Sequence, residues 1–157
     1  MKILVCSCDK DEDLFEPFHH CIEKYWPDHP EVIYLTNTVD NPYYPTIKKN
    51  YPLSQWTRGV REAVQEIDAS YILLMVDDVF FTGITNSDEV LALEKNIPID
   101  VASINLQVMS EQRRESGKYL GNNLWLMPEG STYQTSVMCS LWGRKKLLDV
   151  FNVDKDP

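Results

Sequence analysis

Two adjacent aspartates, Asp77 and Asp78, directly follow the apolar run 71–76. Neighbouring carboxylates at the end of a buried strand repel each other and lose hydration, so their charge is costly unless a cation, hydrogen-bond donors or water compensate it. Mg²⁺ suits such a sparse site, because it commonly binds one or two protein carboxylates and leaves its other positions to water and substrate phosphates. The pair therefore indicates a functional site, with a solvated strand end that caps the following turn as the structural alternative.

Other polar residues are predicted to lie near this pair. Strand neighbours point to opposite faces of a sheet, so Asp77 and Asp78 serve one ligand only if the chain bends at Asp78. Asp9 and Asn37 follow the first two apolar runs of the chain. Since a mostly parallel sheet binds ligands beyond the carboxyl ends of its strands, we expect these four side chains at one edge of the sheet.

The elements that position these residues alternate between strand and helix patterns. Short apolar runs predict the strands, and apolar residues at three- and four-residue steps predict the helices. The predicted strands span residues 3–6, 32–35, 71–76, 101–108 and 133–141, and the predicted helices span 14–26, 54–67, 86–93 and 147–151. The run 71–76 is apolar at every position, as in a central strand buried on both faces. The alternation predicts an α/β fold, a three-layer sandwich with a mostly parallel central sheet.

Three features between these elements carry their own predictions. Ser54 is predicted to cap the second helix. Residues 40–52 combine prolines with tyrosines, which predicts an irregular loop whose rings cover the sheet or contact a ligand. Residues 111–117 are charged and predicted to be exposed, and residues 119–127 give no clear pattern.

The first two cysteines, Cys6 and Cys8, are both placed on the first predicted strand, where alternate residues face the same side. A free cysteine is commonly a small core residue. A metal role would need a second cysteine pair with zinc-like spacing, and the sequence has none. We therefore expect both thiols to belong to the core.

Composition limits the classes of partner. The chain of 157 residues, with 43% hydrophobic residues, fits one domain with its own core. Its net charge of -9 argues against nucleic acid as a partner, whereas an anionic small molecule binds where local donors, an arginine or a metal offset the charge. No apolar stretch is long enough to span a bilayer, the first residues do not resemble a signal peptide, and the cysteines lack the spacing of a secreted framework. These features predict a cytoplasmic protein without a transmembrane segment.

The order of four segments resembles small bacterial glycosyltransferase-like proteins of the A-type fold. The segments are residues 2–9 (KILVCSCD), 56–63 (WTRGVREA), 71–81 (YILLMVDDVFF) and 140–147 (SLWGRKKL). The resemblance spans nearly the whole chain. It implies a Rossmann-like nucleotide-diphospho-sugar transferase domain over residues 1–157, either complete or part of a longer glycosyltransferase domain.

The resemblance also implies roles for individual residues. In such enzymes an aspartate-containing DxD motif ends a central strand and binds the ribose and the metal-diphosphate of a nucleotide sugar. Carried over, Asp78 is the ligand of a divalent cation, Mn²⁺ or Mg²⁺, and Asp77 contacts the ribose or supports that ligand. Asp9 and Asn37 are expected near the base and ribose, and Arg58 near the donor diphosphate or else on the exposed face of its helix. The adjacent pair departs from a strict acid-x-acid pattern.

The implied reaction transfers a sugar from a nucleoside diphosphate to a saccharide acceptor, in surface polysaccharide synthesis at the inner face of the membrane. A metal would neutralise the leaving diphosphate, and an inverting enzyme also needs a carboxylate base. In the family that base usually follows a segment like 140–151, and Asp154 and Asp156 remain there. Two alternatives stay open: a Mg²⁺-dependent phosphoryl-transfer domain that uses Asp9 with the aspartate pair, and a non-catalytic nucleotide-sugar-binding module.

Overall fold

The computed structural model of this chain describes residues 1–97, 101–107, 110–121, 124–131 and 136–152. The strands are β1 (Lys2–Cys6), β2 (Val32–Thr36), β3 (Thr46–Lys48), β4 (Tyr71–Val76), β5 (Ser103–Asn105), β6 (Lys118–Gly121), β7 (Leu124–Leu126) and β8 (Ser140–Gly143). The α-helices are α1 (Phe15–Tyr25), α2 (Trp56–Glu66), α3 (Ser87–Asn96), α4 (Glu111–Ser116) and α5 (Arg144–Val150). Short 3₁₀ helices, Asp9–Leu14 and Leu53–Gln55, precede α1 and α2.

The central sheet has six strands in the order β3-β2-β1-β4-β8-β5. β1, β2, β3 and β4 run parallel, and β8 pairs antiparallel with both β4 and β5. β6 and β7 form a separate two-stranded antiparallel sheet. The prediction of a mostly parallel sheet is confirmed, and the carboxyl ends of β1, β2 and β4 meet at one edge.

Helices cover both faces of the sheet, so the three-layer arrangement is confirmed. Along β4, Ile72 and Leu74 face the layer of α2 and α5, whereas Leu73 and Met75 face the layer of α1 and α3. All four of these side chains are buried. This two-sided burial explains why the β4 run is apolar at every position rather than alternating.

The predicted loop 40–52 is wrong in part, because it contains the edge strand β3. Three residues between prolines carry too little pattern to mark a strand, and β3 forms because the exposed edge of β2 offers it a partner. The covering role is confirmed for Tyr44, whereas Tyr51 lines the cleft described below, and contact with a ligand stays a prediction. The Tyr44 ring stacks on Tyr34 with centroids 5.8 Å apart, and the Tyr43 ring stacks on His19 at 4.3 Å.

Two predicted helix boundaries had different outcomes. Ser54 does not cap α2: it lies inside the 3₁₀ helix, and Gln55 stands at the N-cap without a capping side-chain bond. The 3₁₀ turn satisfies the backbone instead, since the Gln55 amide donates to the Pro52 carbonyl at 2.8 Å. The helix opened by residues 86–88 is confirmed, and the Asn86 side chain accepts a hydrogen bond from the Glu89 amide at 3.3 Å.

The second half of the chain departs most from the predicted strands. The predicted strand 101–108 shortens to β5, with residue 108 outside the described residues. The predicted strand 133–141 begins only at Ser140, and residues 133–135 lie outside the described residues. Cys139 has a φ of 50°, in the left-handed region, which interrupts extended backbone directly before β8. The described residues of the ambiguous segment 119–127 contribute to the paired strands β6 and β7.

Candidate functional site

A cleft of about 840 Å³ opens beyond the carboxyl ends of β1, β2 and β4, against the start of α2 and the segment that precedes it. Its apolar wall includes Leu35, Trp56, Val76, Val137 and Met138. Its charged side chains are Asp9, Lys10, Asp11, Lys49, Asp77 and Asp78. The volume lies in the range of small-molecule sites, and an apolar wall beside a few polar groups is their usual composition.

Asp77 and Asp78 both line this cleft. β4 ends at Val76, and the Val79 amide donates to the Val76 carbonyl at 3.4 Å to close a turn over the two aspartates. The strand alternation stops at this turn, which is the bend that a shared ligand requires. Asp77 is 4% exposed, whereas Asp78 is exposed to solvent. The two carboxylates therefore line the same cleft, but one is buried and the other is in contact with solvent.

Ser7 holds the buried carboxylate of Asp77, and sequence reasoning missed it. The parallel ladder pairs Cys6 with Val76, so Ser7 and Asp77 occupy the next position beyond the two strand ends. The Ser7 hydroxyl donates a hydrogen bond to Asp77 Oδ2. Burial raises the pKa of Asp77 to about 6, with the Asp11 and Asp78 charges acting in the same direction and the Ser7 bond opposing them. The signal for Ser7 was the register of a parallel pair, which only the structure supplies.

Asp9 lines the cleft, but its carboxylate is already bound by the protein. Asp9 Oδ1 accepts from the amides of Thr38 at 2.9 Å and Val39 at 3.2 Å. Asp9 Oδ2 accepts from the Thr38 hydroxyl at 2.5 Å. These bonds, led by the one from the Thr38 hydroxyl, hold the pKa of Asp9 below its usual value. Asp9 thus ties the end of β1 to the loop after β2.

Asn37 also lines the cleft and takes part in the same connection, because its side-chain oxygen accepts from the Asp9 amide at 3.3 Å. Arg58 is not among the residues that line the cleft. Its guanidinium lies 4.8 Å from the centroid of the Tyr51 ring, and its Nε donates to Glu62 at 3.1 Å. The structure therefore brings together Asp9, Asn37 and the aspartate pair, and it directs Arg58 to the surface of α2.

Two lysines in the cleft lining were not singled out by the sequence. Lys49 Nζ binds Glu66 Oε1 at 2.5 Å and lies 3.8 Å from Glu62 Oε2, and these contacts raise the pKa of Lys49. Lys10 is exposed, and its side chain forms no ion pair within the described residues. A solvated lysine has no sequence signal, so only its place beside the cleft marks it.

Cys8 corrects the prediction that both early thiols belong to the core. β1 ends at Cys6, which is buried, and Cys8 lies beyond the strand in the cleft lining. The Cys8 thiol donates to Asp11 Oδ2 at 2.8 Å. Partial burial and the Asp11 carboxylate raise the pKa of Cys8, so the group stays a thiol rather than a nucleophilic thiolate.

Comparison with known proteins finds similarity in solved structures only. No protein-family model and no curated protein sequence matches the chain. A crystal structure of the galactosyltransferase LgtC, in complex with donor and acceptor sugar analogues, superposes with a TM-score of 0.54 at 16% identity, over 95% of this chain and 60% of that one. An active-site variant of LgtC gives a TM-score of 0.50 at 15% identity, over 95% of this chain and 59% of that one.

The fold is Rossmann-like and of the nucleotide-sugar-transferase type. This chain spans about 60% of the length of the galactosyltransferase that it matches. Within the described ranges, no helix combines the length and the apolarity needed to cross a bilayer. At this level of identity the similarity identifies the architecture alone.

The carboxylates of the cleft do not fit a protein-built metal centre. Among the described residues, no group of three or more His, Cys, Asp or Glu side chains could hold a metal ion. Asp9, Asp11 and Asp77 already accept hydrogen bonds from protein donors. Only the Asp78 carboxylate, of the four in the cleft, has no hydrogen bond or ion pair with a described residue. The predicted base candidates Asp154 and Asp156 lie outside the described residues.

Proposed function

We propose that this chain binds a nucleoside diphosphate sugar in the cleft and transfers its sugar to a hydroxyl group of a saccharide acceptor. The turn Asp77-Asp78 at the carboxyl end of β4, inside a fold of the nucleotide-sugar-transferase type, is the observation that carries this proposal. A role in surface polysaccharide synthesis, by a cytoplasmic protein at the inner face of the membrane, belongs to the same proposal.

The lining of the cleft supports a division of labour on such a donor. Trp56, Leu35 and Met138 offer apolar surface on which a nucleobase packs. The exposed Asp78 carboxylate can only accept hydrogen bonds when ionised, so it suits the hydroxyl groups of ribose or of the transferred sugar. Asp77 stiffens the turn through its bond to Ser7 and thereby orients Asp78.

Sugar transfer develops negative charge on the departing diphosphate, and a transferase accelerates the reaction by stabilising that charge. It also needs a group that accepts the proton of the acceptor hydroxyl when the configuration is inverted. We assign no described residue to that proton transfer. The cleft residues therefore account for binding of the donor and not for activation of the acceptor.

The phosphoryl-transfer alternative is disfavoured by the state of Asp9. That function would require the Asp9 carboxylate as a nucleophile or a cation ligand beside the aspartate pair. Both of its oxygens are held by Thr38 and Val39, and releasing them would break the connection between β1 and the loop after β2. The engaged carboxylate favours a structural role.

Isothermal titration calorimetry tests the proposal. UDP, GDP and their hexose conjugates are titrated into the wild type, Asp78→Ala and the control Asp68→Ala, with Mn²⁺ and with EDTA. We expect at least one nucleotide and its sugar conjugate to bind, with about tenfold or greater weakening in Asp78→Ala through loss of a charged hydrogen-bond acceptor. Asp68 is exposed in the loop before β4, at the opposite end of the sheet, so its variant should bind as the wild type does.

The outcomes separate the competing functions. If no nucleotide binds under either condition, the transferase proposal fails at its first step. If a nucleotide sugar binds but is neither hydrolysed nor transferred to any saccharide, the chain is a binding module. Phosphate transfer from acetyl phosphate in the absence of nucleotide binding would favour the phosphoryl-transfer class.

A further inference from the structure

The charges that line the cleft are unequally available to a ligand. The lining carries four carboxylates and two lysines, so its formal charge is negative. A diphosphate adds negative charge and binds only where positive charge or N–H donors offset it. The source of that offset decides how the proposed donor is held.

A divalent cation bridging protein and diphosphate would need free carboxylate oxygens. Both oxygens of Asp9 and one oxygen each of Asp11 and Asp77 accept hydrogen bonds from the protein. Among the described residues, Asp78 is the one cleft carboxylate with both oxygens free, and Asp11 and Asp77 keep one free oxygen each. No group of three or more His, Cys, Asp or Glu side chains in the described ranges could hold a metal ion. A divalent cation bound by so few protein oxygens would take most of its ligands from water and from the diphosphate itself.

The two lysines differ in the same way. Lys49 is committed to Glu66 and Glu62 on α2, which neutralise its charge. Lys10 is exposed, and its ammonium has no carboxylate partner within the described part of the chain. Lys10 is therefore the lysine whose charge is available to a ligand.

The backbone of Lys10 is held in place although its side chain is solvated. The Asp11 amide donates to the Cys8 carbonyl at 3.0 Å, closing the first turn of the 3₁₀ helix around Lys10. Asp9, the preceding residue, is fixed by Thr38. Because the backbone of this turn is fixed, a phosphate at the rim of the cleft has to order only the side chain of the lysine.

We infer that Lys10 binds the diphosphate of the donor, so that nucleotide affinity rests on this lysine and does not require a divalent cation. The inference rests on the proposed nucleotide-sugar function and specifies how that site compensates charge. Asp78 then accepts hydrogen bonds from donor hydroxyl groups. The Asp78-bound Mn²⁺ or Mg²⁺ stays a prediction, and binding in EDTA compared with binding in Mn²⁺ tests it against this inference.

Calorimetry with a diphosphate and its nucleoside isolates this contact. UDP with uridine, and GDP with guanosine, are titrated in EDTA and in Mn²⁺ into the wild type, Lys10→Met and Lys10→Arg. We expect the diphosphate to bind the wild type equally, within about twofold, in both buffers. Lys10→Met should weaken diphosphate binding about tenfold and leave nucleoside binding unchanged, because only the phosphates lose a charged partner. Lys10→Arg keeps the charge and should retain most of the affinity.

Lys145→Met is the matched control, since Lys145 is exposed on α5 and does not line the cleft. It removes the same charge from the whole molecule and should bind as the wild type does. Diphosphate binding that requires Mn²⁺, or that is equal in Lys10→Met and Lys145→Met, overturns the inference while the proposed function survives. A wild type that binds neither diphosphate in either buffer overturns the proposed function itself and the inference with it.

Discussion

The negative charge of the Asp77 carboxylate does not stabilise the folded state. The side chain is 4% exposed, and burial raises its pKa to about 6 against an ordinary value of 3.8. The folded chain therefore keeps this proton over a pH range in which the unfolded chain has released it. The contribution of Asp77 to stability is greatest at low pH and falls as the pH rises through that range. A residue with this profile is typical of functional sites.

Asp77→Asn removes the buried charge and keeps the acceptor for Ser7. We expect the variant to be more stable than the wild type at pH 7 by about 1–2 kcal/mol, because the cost of ionising a buried group disappears. The gain should vanish near pH 4, where the wild-type carboxyl is protonated. Urea unfolding at a series of pH values measures both effects.

The exposed neighbour provides the control for this measurement. Asp78→Asn should change stability at pH 7 by less than about 0.5 kcal/mol, as is usual for a solvated surface position. If Asp77→Asn is less stable than the wild type at pH 7, or keeps the pH dependence of the wild type, then burial does not raise the pKa of Asp77 as described.

At the scale of the elements, α2 forms one wall of the cleft and carries a glycine within it. Gly59 is buried and lines the cleft. A Cβ atom added there would lie 3.5 Å from Lys49 Cβ and from the Tyr51 ring, which is ordinary van der Waals contact. The segment before α2 thus packs against Gly59 without requiring the absence of a side chain.

Gly59→Ala should raise the free energy of unfolding by about 0.5–1 kcal/mol, since alanine has the higher helix propensity and the added methyl group fits. Ala63→Gly is the reverse change on the same helix, at a fully buried position, and should lower stability by about 1 kcal/mol or more. Thermal or urea unfolding of both variants checks the pair. A destabilised Gly59→Ala would mean that Lys49 and Tyr51 cannot accept even a methyl group.

The elements with long or strongly apolar patterns were predictable from the sequence. β1, β2 and β4, and the helices α1 and α2, fall within a few residues of their predicted bounds. β3, β6 and β7 were missed, because strands of three or four residues depend on the neighbouring strand more than on their own pattern. Ser54 was misassigned because its polar side chain suits a cap, while the local backbone closes a 3₁₀ turn instead.

At the scale of the whole molecule, the parallel order of the sheet brings separate strand ends together. Asp9, Asn37 and the aspartate pair were predictable cleft residues because each follows an apolar run. The hydrogen bonds that these side chains form with the rest of the protein were not predictable. That Asp9 binds Thr38, and that Ser7 binds Asp77, depends on strand register and loop path, which composition does not encode.

The net charge of the whole molecule also affects how an anionic donor can bind. A net charge of -9 does not attract an anionic donor, so binding depends on the local lining of the cleft rather than on the long-range field. Within the part of the chain that the structure describes, Lys10 is the lining lysine whose positive charge is not paired with a carboxylate. Affinity for a diphosphate should consequently weaken as salt screens this exposed lysine.

Nucleotide binding in this cleft is tested most directly by a ¹H–¹⁵N correlation spectrum of the 157-residue chain titrated with UDP and with GDP. We predict that one of them perturbs the amide signals of residues 7–11, of Asn37, and of Asp77 and Asp78, which all line the cleft. Signals from β6, β7 and α4 should stay unchanged. The absence of shifts with both nucleotides, or shifts confined to a surface away from β1, β2 and β4, would contradict nucleotide binding in this cleft.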